Sequence, residues 1–457
     1  MLSTESFWTS SLRAAPEGGR ITRILSAAIT SADPSAAVRR SVRREGKKLT
    51  ISGQVYNLEL FRRVILLGIG KASIAMSDVL VEILGDRLST GLVITKHARR
   101  GSSVSSKRPY SHSPLTILIG GHPVPDARSL EAGKKIIELV SNLQADDLLF
   151  CLISGGGSAL VTAPVEGISL SDIQVLTSML LACGARIDEI NTLRRHLDRI
   201  KGGGIVKISN GATIVSMILS DVVGNSLEAI ASGPTAIDPT RRAEALSILE
   251  KYKLERCVPI SILHSLWTSP ETPKPGEPIF KKVHNVIVGS NQQAAQAALA
   301  QGEVEGFHPH LLRTDLQGEA CQAGFKLATT LRHARLTGNP VLGPACIVAG
   351  GETTVTLKGN GKGGRNTELA LATVNEMADL PGVMLVTLAT DGEDGSTDAA
   401  GAVVTGKTFQ SAAGLDMHPV DFLERNDSYS FFSALDDLLK PGPTGTNVND
   451  LAFLFIL

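Results

Sequence analysis

The sequence predicts an α/β fold, and three observations support this prediction. Short apolar runs recur along the 457 residues, helix-like stretches separate them, and most of the runs lead into glycine. Continuous apolar runs are typical of strands covered on both faces, as in a parallel sheet. Ligands bind to such sheets beyond the carboxyl ends of the strands, where the glycine-rich segments would lie.

The strands follow one another in a regular order. Five apolar runs are predicted as strands: Val64–Leu67, Thr116–Ile119, Leu148–Ile153, Ile214–Leu219 and Val286–Val288. Helices are expected between them, for example over Ala72–Leu84 and Leu130–Leu143. The proline-rich stretch 267–278 is interpreted as a linker, which places a domain boundary between 265 and 280. Beyond it, the alternation of Thr353–Leu357 predicts a strand with one wetter face, as in a mixed sheet.

Composition excludes several classes of protein. The 45 basic and 45 acidic residues balance, which argues against nucleic acid as a partner. The basic runs 39–48 and 96–108 are interpreted as solvated faces. Five scattered cysteines indicate neither a disulfide framework nor a thiolate zinc site, and no apolar stretch predicts a membrane span. A cytoplasmic location is expected, and the arginine-containing N-terminus leaves a mitochondrial one open.

The first candidate ligand loop follows the strand at 64–67. Gly70 and Lys71 join this strand to a helix, where backbone N–H groups attract anions and a lysine adds a point charge. The segment is not a Walker A loop, because Ile65 and Ala72 replace residues which that motif requires. A structural turn with an exposed lysine is an equal alternative.

A second, more informative loop follows the strand at 148–153. It consists of Ser154, Gly155, Gly156, Gly157 and Ser158. Three consecutive glycines let backbone amides approach a ligand closely, whereas a tight turn seldom needs three. We therefore predict a ligand loop here.

A helix with cationic residues is predicted over Arg186–Ile200. Arg194, His196 and Lys201 lie off its apolar stripe, and the glycines at 202–204 end it. Structural and anion-binding roles for these side chains are equal alternatives.

Aspartates follow two other predicted strands. Asp221 comes after the strand at 214–219, where a carboxylate can hold Mg²⁺ or accept a proton from a substrate hydroxyl. A helix cap or turn is the alternative, and we favour the functional role. Asp391 and Asp394 follow the run Val383–Leu388 without the further acids of an EF-hand, so turn and metal site remain equal alternatives.

The segment 359–364 matches G-x-G-x-x-G, with Asp379 downstream. The strand predicted before it alternates, however, and Arg365 makes the loop cationic. Phosphate contact is therefore favoured over a dinucleotide fingerprint. Several anion-binding loops and a well-placed aspartate together indicate phosphoryl transfer, in which catalysis is mostly positioning and charge neutralisation.

These segments together resemble the class II glycerate kinases, the glycerate 2-kinase family with a C-terminal MOFRL domain. The matching stretches occur in one order over most of residues 20–457. They are GIGKA (68–72), GGHPVPD (120–126), ISGGGSAL (153–160), INTLRRHLDRIKGGG (190–204), LSDVVGN (219–225), ASGPT (231–235), AGGETTV (349–355), GKGGRN (361–366), TDGEDGSTDAAGA (390–402), NDSY (426–429) and GTNVNDL (445–451).

The resemblance implies two domains and a reaction. A Rossmann-like domain with a mainly parallel sheet is expected over 20–270, after an N-terminal extension at 1–19. A smaller mixed-sheet α/β domain is expected over 271–457, with the MOFRL region at about 345–455 and the active site in the cleft. The implied reaction is phosphorylation of D-glycerate to 2-phospho-D-glycerate with ATP and Mg²⁺.

Residue roles follow from the same motifs. The resemblance assigns catalysis to Lys71, Asp221 and Arg365. Lys71 and Arg365 would neutralise the transferring phosphoryl group, and Asp221 would act as base toward the 2-hydroxyl or hold the metal, for which Asp391 is a second candidate. Substrate and nucleotide contacts are expected from Gly70, His122, Asp126, Ser154, Gly155, Gly156, Gly157, Ser158, Arg194, Lys201, Gly363, Gly364, Asn366 and Asp391.

Four positions depart from the family pattern. Asn225 replaces a common aspartate, which removes a second carboxylate that could hold a metal. Thr367, Ser396 and Asp198 replace glutamine, proline and serine, and none of the departures removes a predicted catalytic residue.

Two other functions are alternatives to this reaction. An NAD(P)H-dependent hydroxypyruvate reductase is supported only by the glycine pattern at 359–364. A non-catalytic sugar-acid or nucleotide-binding protein is disfavoured by the intact Lys71, Asp221 and Arg365. D-glycerate and ATP are the expected partners, with neither nucleic acid nor membrane, and the oligomeric state is left open, with a homodimer as one option.

Overall fold

Two six-stranded sheets organise the chain in a computed structural model that describes residues 3–97 and 115–457. One unit, Ala37–Ser220 with Asn225–Val288, is called the parallel-sheet unit here. The other, Met1–Ala36 with Asp221–Gly224 and Gly289–Leu457, is called the mixed-sheet unit and is the smaller by residue count. The predicted α/β class, with one mainly parallel and one mixed sheet, is confirmed.

The described residues form these elements. The strands are β1 (Val42–Glu45), β2 (Lys48–Ile51), β3 (Gln54–Asn57), β4 (Val64–Ile69), β5 (Leu88–Thr95), β6 (Leu115–Ile119), β7 (Leu148–Ile153), β8 (Thr213–Leu219), β9 (Val283–Gly289), β10 (His308–Leu316), β11 (Ala345–Gly351), β12 (Val383–Ala389), β13 (Gly401–Thr405), β14 (Leu438–Leu439) and β15 (Asp450–Ile456). The α-helices are α1 (Ser10–Ala14), α2 (Gly18–Ala32), α3 (Pro34–Ser41), α4 (Ser73–Leu84), α5 (Ala127–Ser141), α6 (Gly157–Leu160), α7 (Leu170–Ala182), α8 (Ile187–His196), α9 (Gly204–Ile208), α10 (Arg242–Lys251), α11 (Ile260–Thr268), α12 (Asn291–Val304), α13 (Ala320–Thr337), α14 (Arg365–Met377), α15 (Thr408–Ala413), α16 (Pro419–Glu424) and α17 (Ser428–Ala434).

The parallel-sheet unit has the strand order β6-β5-β4-β7-β8-β9. Strands β4 to β8 pair in parallel, and β4 and β7 are buried along their whole length, as their apolar sequences predict. From β4 the chain builds outward through β5 and β6, and it then returns to the other side of β4 with β7. The carboxyl ends of β4 and β7 therefore flank the point where the strand order reverses, which is where open α/β sheets form their ligand crevices.

Helix α8 confirms the amphipathic helix predicted near 186–200. Its buried face, with Leu193 fully covered, packs into an apolar cluster that includes Leu176, Leu249 and Ile262 from helices α7, α10 and α11. The glycines at 202–204 follow it, and Gly202 and Gly203 have left-handed backbones that a helix cannot continue. This packing fixes α8, and with it Arg194, against helices α7, α10 and α11.

The mixed-sheet unit has the strand order β10-β11-β15-β12-β13-β14. Strands β10 and β11 are parallel, and the other pairs are antiparallel. Helices α13 and α14 approach closely at Gly324, which has no side chain. A Cβ atom there would begin 2.4 Å from the Leu369 carbonyl oxygen. Strand β15, the last in the chain, is fully buried between β11 and β12.

One predicted strand is wrong. The segment Thr353–Leu357 forms only an isolated bridge between Thr354 and Glu319, and β11 has already ended at Gly351. Alternation alone did not identify a strand here, because Leu357 is 78% exposed and packs on no sheet face.

The two units divide the chain differently from the expected domains. Strand β9 lies after the proline-rich stretch yet adds to the first sheet, so the compact units divide at 288/289, and the domain boundary expected near 270 stays a prediction. The segment 1–19, expected as an extension, belongs to the mixed-sheet unit, where Phe7 and Leu12 are completely buried. Helix α2 packs there with α12, and Arg23 forms an ion pair with Glu305 at 2.7 Å.

The structure describes one of the two predicted basic surface runs and a small part of the other. In the basic run 39–48, Arg39 pairs with Glu82 at 2.8 Å and Arg43 with Glu45 at 2.7 Å, all exposed side chains, as expected for a solvated face. Most of the second run, residues 98–108, lies outside the described residues. Within the described ranges, no helix combines the length and the apolar character needed to cross a membrane.

Candidate active site

Two predicted ligand loops meet at the carboxyl ends of β4 and β7. Backbone amides join them, since Lys71 N–H donates to the Gly155 carbonyl at 3.0 Å and Ala72 N–H donates to Ser154 Oγ at 3.0 Å. Gly70 has a φ of 131°, and a side chain there would begin 2.4 Å from the Ser154 carbonyl oxygen. Only glycine allows this close approach, so the loops form one structure.

The side chains of Lys71 and His122 lie against Gly156. A Cβ atom on Gly156 would stand 3.2 Å from both Lys71 Cε and His122 Cδ2. The exposed Lys71 ammonium makes no ion pair with any residue in the described ranges. Its charge is therefore available to an anion beside the glycine loop.

His122 is neutral at physiological pH. Burial, together with the charges of Lys71, Lys96 and His97, lowers the pKa of His122 to about 4. A neutral imidazole can donate one hydrogen bond without adding charge. Lys71 and Lys96 thus carry the positive charge here, and His122 adds a neutral polar group, whose ligand contact stays a prediction.

Among the described residues, Arg194 is a second cation without a carboxylate partner. Burial lowers its pKa from the usual value, and its side chain donates to Asn191 Oδ1 at 3.4 Å. Across 3–97 and 115–457 it forms no ion pair. A partly buried guanidinium in this situation is suited to a carboxylate or phosphate.

Lys201 differs from Arg194, because its charge is already balanced. Its ammonium is buried and donates both to Asp198 Oδ2 and to the Val161 carbonyl. Burial lowers the pKa of Lys201, and although burial also opposes ionisation of Asp198, the lysine charge holds the pKa of Asp198 below its usual value. Asp198, a departure from the family pattern, is thus explained by this pair, and ligand contact by Lys201 stays a prediction.

Asp126 has a capping role. Its carboxylate accepts from the N–H groups of Arg128 at 2.9 Å and Ser129 at 3.2 Å at the start of α5, and it pairs with the Arg128 guanidinium. This pairing lowers the pKa of Asp126. Gly121 leaves room for the cap, since a side chain there would begin 2.6 Å from Asp126 Cγ. Ligand contact by Asp126 also stays a prediction.

In the mixed-sheet unit, Arg365 is held by two carboxylates. Its Nε and Nη2 donate to Asp450 at 2.5 and 3.2 Å, and its Nη1 donates to Glu352 at 2.9 Å. Gly351 and Asp450 are paired residues of β11 and β15, so both carboxylates come from the same sheet edge. These hydrogen bonds to two carboxylates fix the plane of the guanidinium. The sequence alone indicates no role for Glu352 or Asp450, although both lie in stretches that match the family.

Further carboxylates surround this arginine. Burial and the charges of Asp450 and Asp221 raise the pKa of Glu352 above its usual value. Burial and the charge of Asp450 likewise raise the pKa of Asp391. Because four acids outnumber one arginine here, negative charge is in excess and a cation would relieve it.

The loop at 359–366 uses its glycines for packing. Side chains on Gly361 and Gly363 would begin 2.5 Å from the Arg425 carbonyl oxygen and 2.3 Å from Ser428 Oγ. Gly364 packs equally closely on Asp394, whose buried carboxylate caps α14.

The cap of α14 involves three residues that the sequence also singles out. Asp394 accepts from the N–H groups of Asn366 at 2.9 Å and Thr367 at 2.8 Å, and from Thr367 Oγ1 at 2.8 Å. Thr367, another departure from the family pattern, therefore completes the cap. Strand β11 ends well before this loop, so the loop lacks the strand–turn–helix context of a dinucleotide fingerprint.

The fit to Mg²⁺ rests on donor chemistry. Asp221 and Asp391 offer the carboxylate oxygens that Mg²⁺ prefers, in surroundings with excess negative charge. Over the described residues, no three His, Cys, Asp or Glu side chains are grouped closely enough to hold a metal by themselves. Mg²⁺ binds through one or two carboxylates plus substrate phosphates in many kinase sites, and the residues present fit that mode.

Comparison with known proteins agrees with these features. A domain of unknown function, DUF4147, matches residues 20–267, and the MOFRL family matches residues 345–450. The D-glycerate 2-kinase of Thermotoga maritima is 39% identical over 85% of this chain and 89% of its own length. A putative hydroxypyruvate reductase of Agrobacterium vitis is 37% identical over 95% and 93%.

A solved structure matches as well. The crystal structure of glycerate kinase from Thermotoga maritima superposes with a TM-score of 0.83 and 36% identity, covering 95% of this chain and 98% of that one. Both family matches, and the sequence identity over most of the chain, agree with the glycine loops and with the motifs that occur in one order along the sequence. The chain belongs to the glycerate 2-kinase family with a C-terminal MOFRL domain.

Proposed function

We propose that this protein transfers the γ-phosphoryl group of ATP to the 2-hydroxyl of D-glycerate, giving 2-phospho-D-glycerate and ADP. The observation that carries the proposal is the pair of loops at the strand-order reversal, where Lys71 stands beside Gly156 without an ion-pair partner among the described residues. Family membership supports glycerate as the acceptor and ATP as the donor.

The parallel-sheet unit supplies anion contacts. Backbone amides of Ser154–Ser158 and the Lys71 ammonium would contact phosphate oxygens, and neutral His122 would add a hydrogen bond. The Arg194 guanidinium would pair with the glycerate carboxylate, since it lacks a carboxylate partner among the residues described. These contacts would position the reactants, which is the main contribution of protein to phosphoryl transfer.

The chemical step requires a proton acceptor and charge neutralisation. Asp221 would accept the proton of the 2-hydroxyl as its oxygen attacks the γ-phosphorus and ADP leaves, or it would serve as a metal ligand together with Asp391. Arg365, held by Asp450 and Glu352, would offer a preset positive group to the transferring phosphoryl oxygens. Bound Mg²⁺ would supply further charge neutralisation.

A direct assay tests the proposal. Full-length protein is incubated with ATP, Mg²⁺ and D-glycerate, and ADP release is coupled to a spectrophotometric readout. We expect ADP release that depends on D-glycerate and that fails without Mg²⁺. ADP release that does not depend on glycerate would contradict the proposal.

Hydroxypyruvate reduction is a second candidate, because one relative carries that name. NADH oxidation with hydroxypyruvate, without ADP release from ATP and glycerate, would favour it. The geometry at 359–366 argues against it, because the glycines there pack on Arg425 and Ser428. A cytoplasmic or mitochondrial location and a homodimer also remain proposals, and the five free cysteines are compatible with a reducing compartment.

A further inference from the structure

A chain of hydrogen bonds joins the glycine loop to Arg194. Ser158 Oγ lies 2.8 Å from Ser232 Oγ, and Ser232 Oγ donates to Asn191 Oδ1 at 3.1 Å. The same Asn191 oxygen accepts from Arg194 Nη1 at 3.4 Å. Asn191 and Ser232 are 5% and 0% exposed, so water does not compete easily for these bonds.

The backbone around Ser232 is held in an unusual conformation. Ala231 and Ser232 have φ values of 50° and 60°, in the left-handed region that side chains other than glycine rarely adopt. Gly202 N–H donates to the Ser232 carbonyl at 2.9 Å, and Gly203 N–H donates to the Gly233 carbonyl at 2.8 Å. The glycines after α8 thus fix this segment, and such over-determined strain is typical of functional sites.

Close packing brings Ser232 to the glycine loop. A Cβ atom on Gly157 would begin 2.7 Å from the Cβ atom of Ala231, so only glycine lets the two segments approach this closely. The third glycine of the loop therefore has a specific consequence, because it places the Ser232 hydroxyl within reach of Ser158.

Arg194 needs such an anchor. Its charge is near enough to lower the pKa of Lys201, and the lysine is already paired with Asp198. A guanidinium with a cationic neighbour, and with no carboxylate partner in the described part of the chain, depends on neutral hydrogen bonds for its orientation. Asn191 offers that bond while leaving the positive charge intact for a ligand.

We infer that Asn191 and Ser232 are positioning residues for glycerate. Asn191 orients the Arg194 guanidinium toward the substrate carboxylate, and Ser232 ties that orientation to Ser158 of the glycine loop. The inference rests on the proposed function, because it takes glycerate as the anion that Arg194 binds.

The variant Asn191→Asp separates positioning from a structural role. Aspartate keeps the shape of asparagine and the acceptor for Ser232, so a merely structural role predicts behaviour close to the wild type. A carboxylate at this position would pair with Arg194 and compete with the substrate. We expect about ten- to hundredfold weaker glycerate binding in N191D, with the ATP KM changed less than about twofold.

Three further variants complete the design. N191A removes the acceptor, and we expect about tenfold weaker glycerate binding, with a smaller loss in S232A. The matched control is Asn57→Asp in the same unit, where Asn57 Oδ1 accepts from the nearby Glu59 N–H at 3.1 Å; it adds the same charge, and we expect wild-type affinity. Melting temperatures show whether each variant is folded.

Calorimetric titration with D-glycerate and steady-state kinetics, both on the full-length protein, read out the result. Glycerate affinity of N191D equal to that of the wild type would overturn the inference alone. Wild-type protein that binds glycerate but does not phosphorylate it would overturn the proposed function alone, since the glycerate affinities of the variants would still test the positioning role. Wild-type protein that does not bind glycerate would overturn both.

Discussion

At the scale of single residues, the decisive feature is a lysine charge that is unpaired among the described residues. Lys71 is exposed beside the glycine loop and makes no ion pair in the part of the chain that the structure describes. Lys201, by contrast, is buried and paired with Asp198. Sequence spacing alone did not separate these two lysines, since both lie in a glycine-containing pattern, and only burial and partners distinguish them.

Replacement of Lys71 tests its role directly. We expect Lys71→Ala to lower kcat by about two to three orders of magnitude, because one preorganised charge on the transferring group is lost. Folding should be unaffected, since the side chain is exposed. The matched control is Lys134→Ala, an exposed lysine on α5, which should keep wild-type kcat. Equal kcat in wild type and K71A would contradict the assignment.

The state of His122 predicts a pH dependence. Its pKa is about 4 in the folded protein, below the usual value of 6.5, so the unfolded chain binds more protons between these limits. His122 therefore makes stability rise with pH from about 4 to about 6.5, and acidification through this range destabilises the folded state. Because glutamine does not titrate, the melting temperature of the wild type should fall relative to that of His122→Gln when the solution is acidified from neutral pH toward the folded pKa. A constant difference would contradict the shifted pKa.

At the scale of elements, apolar runs predicted the central strands well. Strands such as β4 and β7 have both faces covered, and their sequences therefore carry a clear signal. The antiparallel strands β1 to β3 were not predicted, because they lie in or near a charged surface run. The partners of Arg365 were missed for another reason, since Glu352 and Asp450 come from segments distant in sequence and meet only in the folded sheet.

The importance of Gly156, in the loop after β7, for activity can be measured by comparison with Gly167, which has a nearly equal φ. Gly156 and Gly167 have φ values of 83° and 84°, but only at Gly156 would a new side chain meet Lys71 and His122. We expect G156A and G167A to lose similar stability, roughly 1 kcal/mol each, from the left-handed backbone. Only G156A should lose kcat/KM, by about tenfold or more. Equal activity of the two variants would show that the loop tolerates a side chain at the ligand position.

The start of α14 depends on a buried carboxylate. Asp394 accepts from two backbone N–H groups and a hydroxyl, so Asp394→Ala leaves buried donors without partners. We expect the free energy of unfolding to fall by about 2 kcal/mol or more in urea titrations. Replacement of the exposed Glu393 by alanine should change it by less than about 0.5 kcal/mol. An unchanged midpoint for D394A would contradict the capping role.

At the scale of the whole molecule, chain order and spatial units do not coincide. The N-terminal residues belong with the C-terminal half of the chain in one unit, and β9 completes the other unit after the linker. The prolines at 267–278 predict a linker, but they do not show which sheet the next strand joins, because that choice depends on pairing partners far away in sequence.

The N-terminal segment should therefore stabilise the protein. Leu12 is fully buried in the mixed-sheet unit, and its neighbour Arg13 is exposed. Leu12→Ala should lower the free energy of unfolding by about 2–4 kcal/mol. Arg13→Ala should have an effect of less than about 0.5 kcal/mol. Chemical unfolding of both variants measures these changes in the free energy of unfolding. An L12A variant as stable as the wild type would show that the segment is a dispensable extension.

The identity of the product tests the central claim most directly. Full-length protein is incubated with D-glycerate, ATP and Mg²⁺, and the phosphorylated product is identified by phosphorus NMR against both phosphoglycerate standards. The account predicts 2-phosphoglycerate formed in step with ADP, and its loss in K71A. Formation of 3-phosphoglycerate, or no phosphorylated glycerate with the folded wild type, would contradict it.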